Sequence, residues 1–537
     1  MFTESRCYDA IIVGCGPVGV VAAHLLGCQG ISTLVLERDH APYDLPRAIH
    51  LDHEIMRILQ SAGLADLILP HLSTPAGAMH FGADHSVIRQ FHRIVKTDRF
   101  GWASDYFFYQ PDIERILRDA LDQHDTVHVM YGHAVTSIDE SDKGVTVLAE
   151  ADGSEKRFHA RYLLACDGGR SVVRKELAIE LEDLGFDEPW IVVDALVDGP
   201  VKMPDLKGTP DGVDMQEVMF IIGDPKRPTS VIPGVGRHRR WEFMLLPGET
   251  ADDFAAPETV RALLAPWLGG QSFQLIRCAV YRFHALLAKQ WNTRRVFLLG
   301  DAAHQTPPFY GQGLCHGIRD AANLAWKLKL VLSSRADPGL LATYLPERLP
   351  QVRSVVQASI RTGQYICTLD TEAAARRDME MRELAARTPP AYFDIIPPLA
   401  AGVLARSGDP STPIGSRFIQ PPMIDATGTK KLLDDLTGGG FVMLANSNDV
   451  LPADPNDEVK TFFILERNGT PEDTRTLLDC SGELTKWLSH FNCSGLLLRP
   501  DGYVYGVFTT RAEAAELLKL LKTQMNGEAY IGVAAAL

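Results

Sequence analysis

Asp9-Ala-Ile-Ile-Val13-Gly14-Cys15-Gly16-Pro17-Val18-Gly19-Val-Val-Ala-Ala-His24-Leu-Leu26, followed by Ser32-Thr-Leu-Val-Leu36-Glu37, is the stretch whose reading decides the fold. The short apolar run 10–13 has the character of a buried parallel strand. It runs into a glycine turn, then a helical pattern, then a second apolar run closed by an acid. That order is the dinucleotide-binding βαβ unit. Gly14 serves the tight turn, Gly16 lets backbone approach a pyrophosphate, and Gly19 lets helix and strand pack closely. The diphosphate falls on the helix's positive end, and Glu37 stands where a carboxylate accepts from a ribose.

Working outward, a chain of 537 residues suits two or three domains rather than one core. A net charge of −15 argues against a nucleic-acid surface. No run of about 18 apolar residues suggests a membrane span. The opening Met1-Phe-Thr-Glu-Ser-Arg6 has no signal-peptide core. The nine cysteines include no CxxC pair, so neither zinc spacing nor a disulfide framework is expected, and a reducing cytoplasm is.

Two further strand-and-turn units return later in the chain. Arg161-Tyr-Leu-Leu-Ala-Cys166 delivers Asp167-Gly-Gly-Arg-Ser171, and Arg295-Val-Phe-Leu-Leu299 delivers Gly300-Asp301-Ala-Ala-His304. An Asp at a strand's C-terminal end can bond a chain of hydroxyls across the sheet edge. Gly311-Gln312-Gly313 then opens a long helical pattern over 314–332, a second anion site made of free N–H groups. Between these units, strand-like runs at 191–195, 218–222 and 240–245 predict an inserted, mostly antiparallel layer. Helical patterns are expected at 52–62, from 110 and over 338–368. Past a Pro- and Gly-rich linker, runs at 441–444, 461–464 and 495–498 alternate with helices to give a small α/β domain. The expected division is therefore 1–175 with 291–385 for the nucleotide, 176–290 for the inserted sheet, 386–412 as linker and 413–537 as the last domain.

Together the segments 14–19 with Glu37, 166–174 and 300–304 resemble the single-component FAD-dependent aromatic hydroxylases, the family of p-hydroxybenzoate and phenol hydroxylases. Pro46-Arg-Ala-Ile49, Trp190-Ile-Val-Val-Asp194, Arg240-Trp-Glu-Phe-Met244 and Arg319-Asp-Ala-Ala-Asn323 look closest to its 3-(3-hydroxyphenyl)propionate-hydroxylating branch. The resemblance implies an α/β fold: a Rossmann-like FAD domain, an inserted antiparallel substrate sheet and a thioredoxin-like C-terminal domain, the last structural or a homodimer contact. It implies that NADH or NADPH, bound in passing, reduces FAD, and that O2 is then used, through a flavin hydroperoxide, to hydroxylate a phenolic ring. A phenylpropionate-type acid is the expected substrate, with another phenol, a polyketide-type aromatic or a flavin oxidase reaction as alternatives.

The same resemblance places the cofactor on Gly14, Gly16, Gly19, Glu37, Arg38, Arg47, Gln110, Asp167, Arg174, Gly300, Asp301, Pro308, Gly311, Gly313 and Leu314. Candidates for the group at the phenol oxygen are His50, Asp52, His53, Tyr281 and His284. Arg240, or Arg237 to Arg239 beside it, is the candidate for a substrate carboxylate. No metal is expected. One departure stands out: many members carry Asn where this chain has Cys315, and a thiol is a weaker hydrogen-bond partner than an amide.

Overall fold

The computed structural model describes residues 6–93, 99–387, 395–405, 411–452, 458–466, 469–471 and 473–532. Continuous apolar runs at the centre and alternating strands at one edge produce its first sheet, in the order Val127–Met130, Thr33–Leu36, Cys7–Val13, Ser154–Ala165, Val145–Ala151, Ala134–Glu140. The first four strands run parallel, and Val296–Leu298 joins the far side of Ser154–Ala165, also parallel. Helix Pro17–Cys28 follows the first strand, as its Pro at the first turn and apolar spacing dictate. Helix Gly313–Leu332 crosses it closely. A Cβ on Gly317 would lie 2.4 Å from Val18 Cγ2 and 3.0 Å from Gly300 Cα, so glycine is what permits the approach.

The second sheet has eight strands in the order His304–Gln305, Phe273–Ala288, Leu181–Val197, His238–Met244, Thr229–Pro233, Val218–Ile222, Gly77–Phe81, Val87–Arg93. It is antiparallel except where Val218–Ile222 meets Gly77–Phe81. The layer expected from 176–290 thus also takes strands from 77–93 and 304–305. Its outer edge carries helix Thr371–Arg387, a helix the sequence reading left out although its residues are strong helix formers. Buried Asp378 of that helix accepts from Ala83 N at 2.7 Å and pairs with Arg377.

A third, seven-stranded mixed sheet with helices Glu483–His490 and Arg511–Met525 builds the C-terminal region. Part of the expected linker, at 388–394 and 406–410, lies outside the described residues. Its described part is pinned down. Leu399, Val403 and Leu404 are buried, and Ala405 N–H donates to the Tyr505 carbonyl. Among the described residues no helix is long and apolar enough to cross a membrane, and no cluster of His, Cys, Asp and Glu could hold a metal.

Candidate active site

Register brings the three motifs together. Val13 is paired with Ala165, and Ala165 with Leu298, so three adjacent parallel strands end on one rung. The next residues are Gly14, Cys166-Asp167 and Leu299-Gly300-Asp301, which therefore meet at one sheet edge. Gly14 has φ +96°, and a Cβ there would lie 2.6 Å from the Cys166 carbonyl oxygen. A Cβ on Gly19 would lie 2.0 Å from the Gly14 oxygen, whereas one on Gly16 meets nothing within 4 Å. Turn, open floor and close packing fall to the three glycines in the order their spacing implies.

The residues fit a bound dinucleotide on several independent features. Helices Pro17–Cys28 and Gly313–Leu332 both begin without a side-chain cap, leaving N-terminal donors for an anion. A Cβ on Gly313 would also meet open space. Asp301 is exposed and has no hydrogen-bond partner among the described residues, as suits a carboxylate that serves a ligand. Arg47, also exposed, lies over the Tyr43 ring at 4.5 Å.

Other residues of the expected cofactor set brace this edge from within. Glu37 Oε2 accepts from Cys15 N at 2.6 Å and Oε1 from Asp39 N at 3.0 Å, so it ties the glycine turn to the second strand's end. Arg38 is exposed beside Asp39. The Gln110 side-chain carbonyl accepts from Arg47 N and Ala48 N, and so shapes the Arg47 loop. Asp167 caps the short helix Val172–Glu176 through Val172 N and Val173 N. Arg174 is buried, donating to the Ala302 and Gly169 carbonyls and stapling one motif to another. Buried Asp320, singled out only within a resemblance, accepts from Gly300 N, His304 and Arg348 and so organises the 300–304 turn.

Beside Gly311-Gln312-Gly313 opens a cavity of about 330 Å³, between that turn, with Pro308 and Leu314, and one face of the eight-stranded sheet. His50, Asp52 and His53 line it; Tyr281 and His284 do not. Strand alternation accounts for His284: Phe283 shares the side of Trp190 and Phe309, so its neighbour lies on the other. Tyr281 sits under the Arg277 guanidinium at 4.6 Å. Asp52 caps helix His53–Ser61 with Oδ1 and pairs with Arg319 through Oδ2. Burial works against its charge, but Arg319 and His53 hold its carboxyl far below the ordinary carboxylate range. It is thus a poor proton acceptor.

His50 differs. Its Nε2 meets Asp105 Oδ1 at 2.8 Å and its Nδ1 meets the Gly311 carbonyl at 3.3 Å. Burial alone would favour the neutral ring, yet the Asp105 carboxylate beside Nε2 raises its pKa well above 6.5. Cys315 itself is fully buried in the helix's first turn, its Sγ 3.8 Å from both the His50 and Gly311 carbonyls. Asp105 went unnoticed in the sequence, although an acid opening the apolar run Asp105–Phe108 repeats in reverse the placing of Glu37.

The arginines proposed for a substrate carboxylate are engaged elsewhere. Arg240 is buried, bidentate to Asp194 at 2.8 and 3.1 Å, and donates to the Arg47 and Pro46 carbonyls. Arg239 donates to the Gly236 and His238 carbonyls, and Arg237 pairs with Asp198. His238, on the strand face of Arg240, bonds the same Asp194 at 2.7 Å.

Comparison with known proteins agrees with this geometry. The FAD binding domain family matches residues 7–359, and a C-terminal domain family named HcaD matches 415–524. A probable NADH-specific resorcinol 4-hydroxylase of Rhodococcus jostii is 35% identical over 96% of this chain and 95% of its own. A 3-(3-hydroxy-phenyl)propionate/3-hydroxycinnamic acid hydroxylase of Paraburkholderia xenovorans is 32% identical over 94% and 89%. In fold, the flavin-dependent monooxygenase PieE superposes with a TM-score of 0.79 at 22% identity, covering 98% of this chain and 100% of that one. Aklavinone-11 hydroxylase gives 0.76 at 23% identity with the same coverage. The chain belongs to the FAD binding domain family, and within it to the FAD-dependent aromatic hydroxylases.

Proposed function

We propose that the chain uses NADH and O2 to hydroxylate a small monocyclic phenol, held with its hydroxyl at the His50–Asp105 pair. The observation that carries this reading is the pair itself: a half-buried imidazole–carboxylate couple in the cavity beside the Gly311-Gln312-Gly313 turn. NADH is the reductant for which the Rhodococcus relative is specific by name, and that is the basis for NADH in this reading.

Bound FAD, once reduced, supplies the activation of O2 and the electrophilic oxygen that the ring takes up. What the chain adds is placement and charge. Asp105 favours the protonated ring of His50, which would present one N–H to Asp105 and the other at the Gly311 carbonyl. A phenol oxygen seated beside Gly311 would take the Nδ1 proton in place of the long contact to that carbonyl, which favours phenolate character and makes the ortho and para carbons more nucleophilic. Phe309 closes one wall, packed edge-on against Phe186, Trp190 and Phe283 with centroids 5.8 to 6.0 Å apart, and keeps that side apolar.

Turnover of a panel of phenols by purified holoenzyme under ¹⁸O₂ tests the reading. One labelled oxygen in the product and NADH use stimulated by the phenol are expected; stimulated NADH use with no label in any product would overturn it.

A further inference from the structure

One rung of the eight-stranded sheet joins His80 to Ile221, Ile221 to Ser230 and Ser230 to Glu242, and all four line the cavity. Glu242 is the one acid of strand His238–Met244, set between Trp241 and Phe243, and has no hydrogen-bond partner among the described residues. Strand alternation aims it to the same side as Arg240, which is two residues away. Its strand neighbours Arg240 and Asp194 already satisfy each other.

Of the arginines near Glu242, Arg240 is held by Asp194, Arg47 is exposed on the loop whose carbonyl Arg240 bonds, and Arg89, the cross-strand partner of His80, lies outside the cavity lining. Arg417 pairs with Glu54 and Asp52 with Arg319. Arg47 stands at the cofactor loop, and the His50–Asp105 pair lies at the turn. His80 stacks on Tyr365, and burial pushes its pKa down to about 3, so it is neutral. Burial raises Glu242 to about 7 despite Arg240, with Asp194 pushing the same way. The carboxyl is therefore matched to a ring hydroxyl, which can donate to its ionised form or accept from its protonated one. A carboxylate there would face like charge in a partly dry site.

We infer that Glu242 is a specificity-determining residue whose carboxyl binds a second hydroxyl on the ring and excludes a carboxylate, so that the substrate is an uncharged dihydroxybenzene-type phenol rather than a phenolic acid. This rests on the reading that the cavity seats a phenol, and it takes the alternative of another phenol over the phenylpropionate-type acid expected from the resemblance.

The test compares kcat/KM of the holoenzyme for 1,3-dihydroxybenzene and 3-(3-hydroxyphenyl)propionate, in the natural chain and in Glu242→Gln, with FAD content measured alongside. The natural chain should favour the dihydroxybenzene. Glu242→Gln should keep its FAD, raise KM for that ring by about tenfold or more, and shift the ratio toward the acid by a similar factor. Preference of the natural chain for the acid, or an unchanged ratio in the variant, overturns the inference while leaving phenol hydroxylation standing. Absence of turnover on any phenol defeats both readings. Independently of any variant, inhibition of the natural holoenzyme by 3-phenylpropionate should strengthen as pH falls through about 7 and Glu242 loses its charge. A pH-independent inhibition constant overturns the inference too.

Discussion

His50 and Asp52 stand two residues apart and were equal candidates on the sequence; their partners separate them. Asp52 caps a helix and neutralises Arg319, whereas His50 keeps a nitrogen on the cavity side of the turn. If the His50 proton serves the phenol oxygen, activity requires the imidazolium and is lost as pH rises through its pKa. Asp105 is what lifts that pKa against burial, so Asp105→Asn should move this limb of the pH–rate profile to lower pH. It should also reduce hydroxylated product per NADH by about 10²-fold or more at neutral pH, with FAD retained. An unmoved limb in the product-coupling assay would assign the proton to another group. The pairing with Asp105 was not legible, because the two residues come from strands His50–Asp52 and Asp105–Phe108, which meet only in the fold.

At the scale of an element, helix Gly313–Leu332 carries Arg319, Asp320, Asn323 and Lys327 on buried positions of a pattern that otherwise reads as apolar. Their partners lie far off in sequence. Arg319 meets Asp52 and Glu54, Asp320 meets His304 and Arg348, and Lys327 meets Glu347. Hydrophobic spacing gave the helix and its first turn but could not show which charges would be buried in pairs. Arg319→Ala leaves buried Asp52 without its arginine, while Glu54 keeps Arg417, and should destabilise the fold by about 3 kcal/mol, read as a lower midpoint in chemical denaturation. Burial would push Glu54 and Glu347 up, yet Arg319 and Arg417, and Arg499 and Lys327, hold both at about 2 against an ordinary 4.5. Each folded pKa lies below its unfolded one. Their stabilisation is therefore complete above about pH 4.5 and drains away as pH falls toward 2. Glu54→Gln should flatten this acid limb of the denaturation midpoint; an equally steep limb would show that other carboxylates set it.

Across the whole molecule, the C-terminal region is tied to the nucleotide part by buried charge rather than joined to it through an open linker. Arg499 reaches Glu347 and Asp501 at 2.7 Å, Asp501 accepts from Asn323 and Trp326, and Arg417 reaches Glu54 at 2.7 Å. Arg499→Met should therefore lower the thermal midpoint of FAD release and not only that of the last sheet. Separate melting of the C-terminal region with flavin undisturbed would contradict the tie. Apolar runs made the three larger sheets broadly legible, and the glycine spacing made the cofactor edge legible. The sharing of strands 77–93 with the inserted sheet was not, since nothing local tells a strand which sheet it will join. One rung of three strand ends forms the floor proposed for FAD, with Gly16 open beneath it. Titration of FAD onto the natural chain and onto Gly16→Val measures this directly. A Cβ at Gly16 meets no protein atom within 4 Å, so the variant should fold as before and bind FAD at least about 100-fold more weakly. Equal FAD affinity in the two chains would contradict the placement.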